Sequence, residues 1–307
     1  MNSRSESLAV TQPFDLARSL IFLEKFRPMK GEQDIRDGTV TKALMIKGQT
    51  VVFQLAKPVE GDKPELKLEL FSDEPLTDDL TRLLSERVSF MFSLKEDVNQ
   101  FYEIARRDDP KFYPVVKKFW GFHHVKFPST LEAAVWAILA QRGPMLAARK
   151  MKQALIERFG WSITLEGKKH WAFPDYSRVM NTSARELRWL IGNERKAEHL
   201  AALFRGYERI DENLLLTADF DEAKKTLMGI KGIGDWSATF ILSRGLGRME
   251  RLPQNLKSVQ DEIKKIYGQE QPPDRIAVAY GKWAGYWLLY VWASRMRKSK
   301  NKKDRPT

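Results

Sequence analysis

The chain has 307 residues, 43% of them hydrophobic, with 52 Lys and Arg against 40 Asp and Glu and no cysteine. That length suffices for two domains with their own cores, and the missing thiols exclude disulfides, thiolate metal sites, a cysteine nucleophile and a cysteine-held iron–sulfur cluster. A net charge of +12 makes a polyanion the expected partner, because Lys and Arg that neutralise phosphates release condensed counterions, while no run approaches the roughly 20 apolar residues of a membrane span.

The first twenty residues hold no apolar core of signal-peptide length, so a soluble cytoplasmic protein is expected. Up to about Phe92 the texture is extended. Thr39–Lys47 (TVTKALMIK) and Thr50–Ala56 (TVVFQLA) are β-rich runs joined by Gly48-Gln49, which predicts a hairpin. Leu66–Phe71 (LKLELF) alternates apolar and charged residues, as a strand with one wet face should. Pro75 to Met91 then reads as a helix with an acidic start, and residues 1–92 are expected to form a small antiparallel β/α domain.

From about Ser93 to Ser299 the periodicity is helical, broken at Pro110, Pro128, Gly143-Pro144, Gly160, Pro174 and Pro272-Pro273. Ser129-Thr130-Leu131-Glu132 has the form of a capping box, and Thr130 to Gln141 carries the nearly unbroken apolar load of a central helix. Residues 93–299 are expected as a helical domain and 300–307 as a basic disordered tail, the end of a stretch from Ser294 with seven basic residues against one acid. The expected fold class is α+β, a small N-terminal antiparallel sheet subdomain followed by a mainly α-helical domain.

Leu227 to Ala238, LMGIKGIGDWSA, is the most informative stretch. One helix ends at Gly229 and another begins after Gly232 and Gly234. Ile230 and Ile233 give the turn an apolar underside, and the glycines let the backbone approach something outside. The free amides that open the second helix favour an anion such as phosphate.

The pattern L-x-x-I-x-G-I-G resembles the helix-hairpin-helix of DNA-binding proteins, and the chain resembles the helix-hairpin-helix DNA glycosylase superfamily, within it the 3-methyladenine DNA glycosylase II family. GIKGIGDWSA matches that family's G-I-G-x-W-[ST]-A, Ile138-Leu139-Ala140-Gln141 its I-L-x-Q, Arg244-Gly245 and Leu252-Pro253 its R-G and L-P landmarks, and Trp283–Trp292 (WAGYWLLYVW) its aromatic helix beside the base pocket. The resemblance implies that Gly229, Lys231, Gly232, Gly234, Gln141 and Arg142 contact DNA and that Trp236, Phe240 and Trp292 enclose a flipped base. It implies no side-chain metal site and no cofactor beyond a monovalent cation held by hairpin main-chain carbonyls. The partner implied is double-stranded DNA, bound by a monomer with no protein partner and, in a bacterium or archaeon, at the nucleoid.

Position 236 separates subclasses by chemistry. Bifunctional relatives carry there a lysine whose amine attacks the sugar C1′, and an indole cannot, so the activity implied is monofunctional release of alkylated purines of the 3-methyladenine type. At the position of the family's aspartate, two residues after the L-P proline, stands Asn255. Asparagine has nearly the same shape but offers a dipole in place of a charge. Three readings stay open: an introduced Asp-to-Asn change, a loss of catalysis that leaves damage or structure binding, or action on cationic bases that depart readily. Where the family has an apolar wedge after Gln141, this chain has Arg142, whose planar guanidinium can also insert between bases. His123-His124, His170 and His199 form no metal-ligand spacing and are expected as surface or core residues.

Overall fold

The computed structural model describes residues 1–57, 64–253 and 256–295. Along the chain come β1 (Asn2–Ala9), α1 (Leu16–Lys25), β2 (Gln33–Arg36), β3 (Thr39–Ile46), β4 (Gln49–Ala56), β5 (Glu65–Ser72), α2 (Asp78–Met91), α3 (Asn99–Asp108), α4 (Tyr113–Lys118), α5 (Thr130–Leu139), α6 (Met145–Phe159), β6 (Trp161–Leu165) and β7 (Lys168–Ala172). Then follow α7 (Tyr176–Val179), α8 (Ala184–Ile191), α9 (Glu194–Tyr207), α10 (Glu212–Thr217), α11 (Phe220–Met228), α12 (Asp235–Phe240), α13 (Gln260–Tyr267), α14 (Pro273–Tyr280) and α15 (Ala284–Ser294). Two compact units arise, 1–97 with 121–248, and 98–120 with the chain from 249 onward. The first unit keeps the sheet together with most of the helices.

In the first unit five strands form an antiparallel sheet in the order β1-β5-β4-β3-β2. The β3–β4 hairpin is as expected, but Ile46 pairs with Gln49, so its turn is Lys47-Gly48, one residue earlier than the sequence suggested. Both turn residues have positive φ, 52° and 80°, the geometry whose twist matches its flanking strands. The edge strand β1 pairs with β5 from Asn2↔Ser72 to Ala9↔Glu65; its residues NSRSESLA are too polar to betray a strand by hydropathy.

The 93–299 region is not helical throughout, which corrects the sequence reading. β6 and β7 form a second hairpin around Glu166-Gly167, again with two positive φ values, 51° and 75°. Its apolar face, Ile163, Leu165 and Ala172, packs on Ala43, Met45 and Val52 of the sheet.

Every residue of α5 is buried. The Ser129 hydroxyl accepts from the Glu132 amide at 3.1 Å, one half of a capping box. The other half is missing, because the Glu132 carboxylate turns inward to Lys152 Nζ at 2.7 Å. Lys152 also meets Glu32 at 2.6 Å, and Glu32 meets Lys42 at 3.3 Å, so two acids and two bases interlock in the interior of helix and sheet. Burial works against the Glu32 carboxylate, yet Lys152 and Lys42 outweigh it and hold its pKa below the usual range.

The second unit is an aromatic helical cluster. Asp109 accepts from the Tyr267 and Tyr280 hydroxyls at 2.6 and 2.9 Å, and Trp287 Nε1 donates to Tyr267 at 2.8 Å. Tyr286, Trp287 and Tyr290 of α15 are core residues. Among the described residues no helix is long and apolar enough to cross a membrane.

Candidate nucleic-acid interface

Asp219 opens α11 by accepting from the Asp221 amide at 2.8 Å. After Met228 the chain turns through two short-range bonds, Ile230 N–H to Leu227 O at 3.1 Å and Ile233 N–H to Ile230 O at 3.0 Å, with Ile233 buried beneath. The glycines serve different ends. Gly232 has φ +95°, and a Cβ there would stand 2.4 Å from the His199 ring, so both backbone and packing demand glycine. Gly234 begins α12 with φ −97° and faces open space. Gly229 is an ordinary right-handed helical residue at φ −64°. Among the described residues, no backbone acceptor takes the amides of Gly232 and Gly234.

The end of α5 is tied to this turn. Gln141 Nε2 donates to the Gly232 carbonyl at 2.7 Å and to the Ser237 hydroxyl at 3.1 Å. Lys196 Nζ donates to the Leu139 carbonyl at 2.7 Å, a cation on the negative end of a helix; burial lowers its pKa. Arg142 follows, exposed and in the left-handed region at φ 45°. Lys231 is paired with Glu198 at 3.1 Å, an exposed contact that a phosphate can replace at little cost.

His199 has no metal-ligand spacing in the sequence, yet it fills the space under Gly232. Among the described residues its buried Nδ1 has no hydrogen-bond partner. Burial, then the charges of Arg195 and Lys231, push its pKa below the ordinary value, so the ring is neutral at pH 7.

Trp236 is 49% exposed. Its ring stacks on Phe240 at 5.3 Å with 25° between planes, and Phe240 in turn meets Phe127 edge-on at 5.9 Å. Gln141, Arg142, Arg195, His199 and residues 232–237 line one open cleft. Arg195 and His199 belong to α9, some thirty residues before the turn, so no local motif could have assigned them. Asp235 lies in the cleft but is engaged by Lys224 at 3.1 Å. The cleft thus offers amides and guanidinium groups to an anionic strand and one flat face to a planar ring. Trp292 is a partly buried residue of α15 in the second unit. Asn255 and the 300–307 tail lie outside the described residues.

No family model matches the chain. In sequence it is 26% identical over 299 residues to a DNA-3-methyladenine glycosylase of Bacillus subtilis, a match covering 94% of this chain and 97% of that protein. In fold it is similar to a 3-methyladenine DNA-glycosylase from Archaeoglobus fulgidus, with TM-score 0.71, 20% identity and coverage of 96% and 99%. It is also similar to an 8-oxoguanine glycosylase/lyase of Clostridium acetobutylicum, with TM-score 0.68, 14% identity and coverage of 95% and 97%. These findings bear out the resemblance to the helix-hairpin-helix DNA glycosylases and their 3-methyladenine branch.

Proposed function

Given that the chain shares its fold with DNA glycosylases and resembles a 3-methyladenine glycosylase from end to end, we propose that it binds duplex DNA, flips a damaged nucleotide and releases alkylated purines by monofunctional hydrolysis. The observation that carries this is the half-exposed indole of Trp236 beside a glycine turn with free amides. In this reading the segment α11–turn–α12 is the helix-hairpin-helix: the amides of Gly232 and Gly234 hold a phosphate, helped by Lys231, and main-chain carbonyls of the turn hold a monovalent cation. Arg142 probes the stack. Trp236 and Phe240 receive the extruded base. Hydrolysis breaks the C1′–N bond: the cationic base takes the bonding electron pair and leaves neutral, water's hydroxyl goes to C1′ of the sugar, and its proton is released to solvent. With tryptophan at position 236 no amine is present there to form a Schiff base, so an abasic site is the product. The protein acts as a monomer.

Asn255 favours a second reading, in which the protein binds damage without cleaving it. A carboxylate at that position would steady the positive charge developing on the sugar, a contribution of several kcal/mol in a dry site. Duplexes carrying 7-methylguanine or 3-methyladenine, incubated with the protein and with an Asn255→Asp variant, separate the two. Release by both supports the enzyme, and release by the variant alone supports the binder. Release by neither rejects the glycosylase assignment.

A further inference from the structure

Two residues of α9, Arg195 and His199, line the open cleft beside the glycine turn, and their spacing of four puts them on one face of that helix. Glu198, on the same helix, is engaged by Lys231, and Asp235, in the same cleft, by Lys224, each at 3.1 Å. Arg195 is exposed and has no ion-pair partner among the described residues. Its positive charge is therefore turned to the cleft without a carboxylate to neutralise it.

His199, one helical turn on, is 9% exposed. A Cβ on Gly232 would stand 2.8 Å from its Nδ1, so this nitrogen is pressed against the turn, where it has no hydrogen-bond partner among the described residues. Nε2 is not buried in this way and is left to the cleft that the ring lines. An apolar ring would fill the same space without stranding a polar atom, so packing alone does not account for an imidazole here. Burial, then Arg195 and Lys231, outweigh Glu198 and keep the ring neutral at pH 7, and a neutral imidazole carries one proton. On Nδ1 that proton would be a buried donor with no acceptor. On Nε2 it is available to the cleft, which assigns it there.

We propose that α9 takes part in holding the DNA strand: the Nε2–H of His199 joins the amides of Gly232 and Gly234 on one backbone phosphate, and Arg195, a helical turn of about 5.4 Å away, takes the neighbouring phosphate of the same strand. The inference rests on the reading of the glycine turn as a phosphate site. The two contacts differ in kind. Arg195 neutralises a phosphate and so releases condensed counterions on binding, whereas neutral His199 adds a hydrogen bond and releases none.

The test reads affinity for a labelled duplex bearing a tetrahydrofuran abasic analogue by fluorescence anisotropy, from about 50 to 200 mM salt, with each variant checked for folding by thermal unfolding. Arg195→Gln should lower the slope of log affinity against log salt by about 0.9, the mark of one lost charged contact to phosphate. His199→Phe should bind about tenfold more weakly with an unchanged slope, since what it loses is a hydrogen bond from a neutral donor. His199→Gln, whose side-chain amide can donate in place of Nε2, should recover most of that loss. A folded Arg195→Gln with the parent's slope, or a folded His199→Phe with the parent's affinity, overturns the proposal. If His199→Phe does not fold, the nitrogen NMR signals of the ring in the intact protein decide. A proton on Nε2 and a shift of that signal on adding the duplex support the proposal, and a proton on Nδ1 or an unmoved Nε2 signal overturns it. Full affinity in Gly234→Ala defeats the underlying reading of the turn instead, whereas loss there with full affinity in Arg195→Gln or His199→Phe defeats this inference alone.

Discussion

The side-chain amide of Gln141 donates to the Gly232 carbonyl at 2.7 Å, joining the end of α5 to the turn between α11 and α12. The same nitrogen reaches Ser237 at 3.1 Å, so one side chain fixes both ends of the turn. Gln141→Ala leaves a partly buried carbonyl and hydroxyl unmet and should cost about 1–2 kcal/mol in urea unfolding. Duplex binding should weaken as well, and unchanged values of both would show the bond to be idle.

The two turn glycines make a paired prediction. Gly232→Ala forces a side chain into the left-handed region and against His199, and should destabilise the fold by about 1–3 kcal/mol. Gly234→Ala meets open space with an ordinary φ and should leave the melting temperature close to that of the parent. If Gly234 faces a phosphate as proposed, its alanine variant should nevertheless lose duplex affinity. Equal melting temperatures for the two variants would contradict the geometry.

Replacing Trp236 by alanine removes a half-exposed ring and should change stability little. Its effect should fall on recognition: base–aromatic stacking contributes about 1–3 kcal/mol per base, so preference for a methylated duplex over an intact one should drop roughly 10- to 100-fold in a competition assay. A folded variant with full preference would remove the indole from the base site.

All four histidines have pKa values pushed below the ordinary 6.5, in each case chiefly by burial, and His124 furthest. The unfolded chain therefore binds more protons than the folded one once the pH falls below about 6.5, and stability must decline with it. Above roughly pH 7.5 the histidines are neutral in both states and contribute no slope. Melting curves at about pH 8 and pH 5.5 should show the lower temperature at acid pH; an equal or higher one would contradict the buried, neutral rings.

Lys152 sits between Glu132 and Glu32 at 2.7 and 2.6 Å in the interior. Lys152→Met strands the buried carboxylate of Glu132 and takes one of its two lysines from Glu32, and should cost about 3–5 kcal/mol, whereas adding Glu132→Leu should recover part of the loss, since Glu32 retains Lys42. Chemical denaturation of both variants checks the order. A double variant less stable than the single one would refute it.

Legibility in the sequence followed the range of the interactions. The β3–β4 hairpin and the helix from Thr130 were readable because turn chemistry, β-rich runs and an N-cap act within a few residues. The β6–β7 hairpin had the same local signal in Glu166-Gly167, but helical periodicity on both sides concealed it. Strand β1 had none, since its Ser, Arg and Glu residues owe their conformation to the hydrogen bonds of β5. In the site, the glycines, Gln141 and the Trp236–Phe240 pair lie at motif positions and could be named in advance. His199 and Arg195 could not, because only the packing of α9 brings them to the cleft, and the inward turn of Glu132 depended on a lysine twenty residues away.

Helix α9 services three structures at once: Lys196 holds the last turn of α5, Glu198 holds Lys231, and His199 lies beneath Gly232. The two sides of the cleft are therefore referenced to a common beam. A tilt of that beam would spread the arginine loop and the glycine bend together, so the aperture should breathe as one motion instead of two, and a substitution on its far side could alter grip without touching any residue that meets the strand.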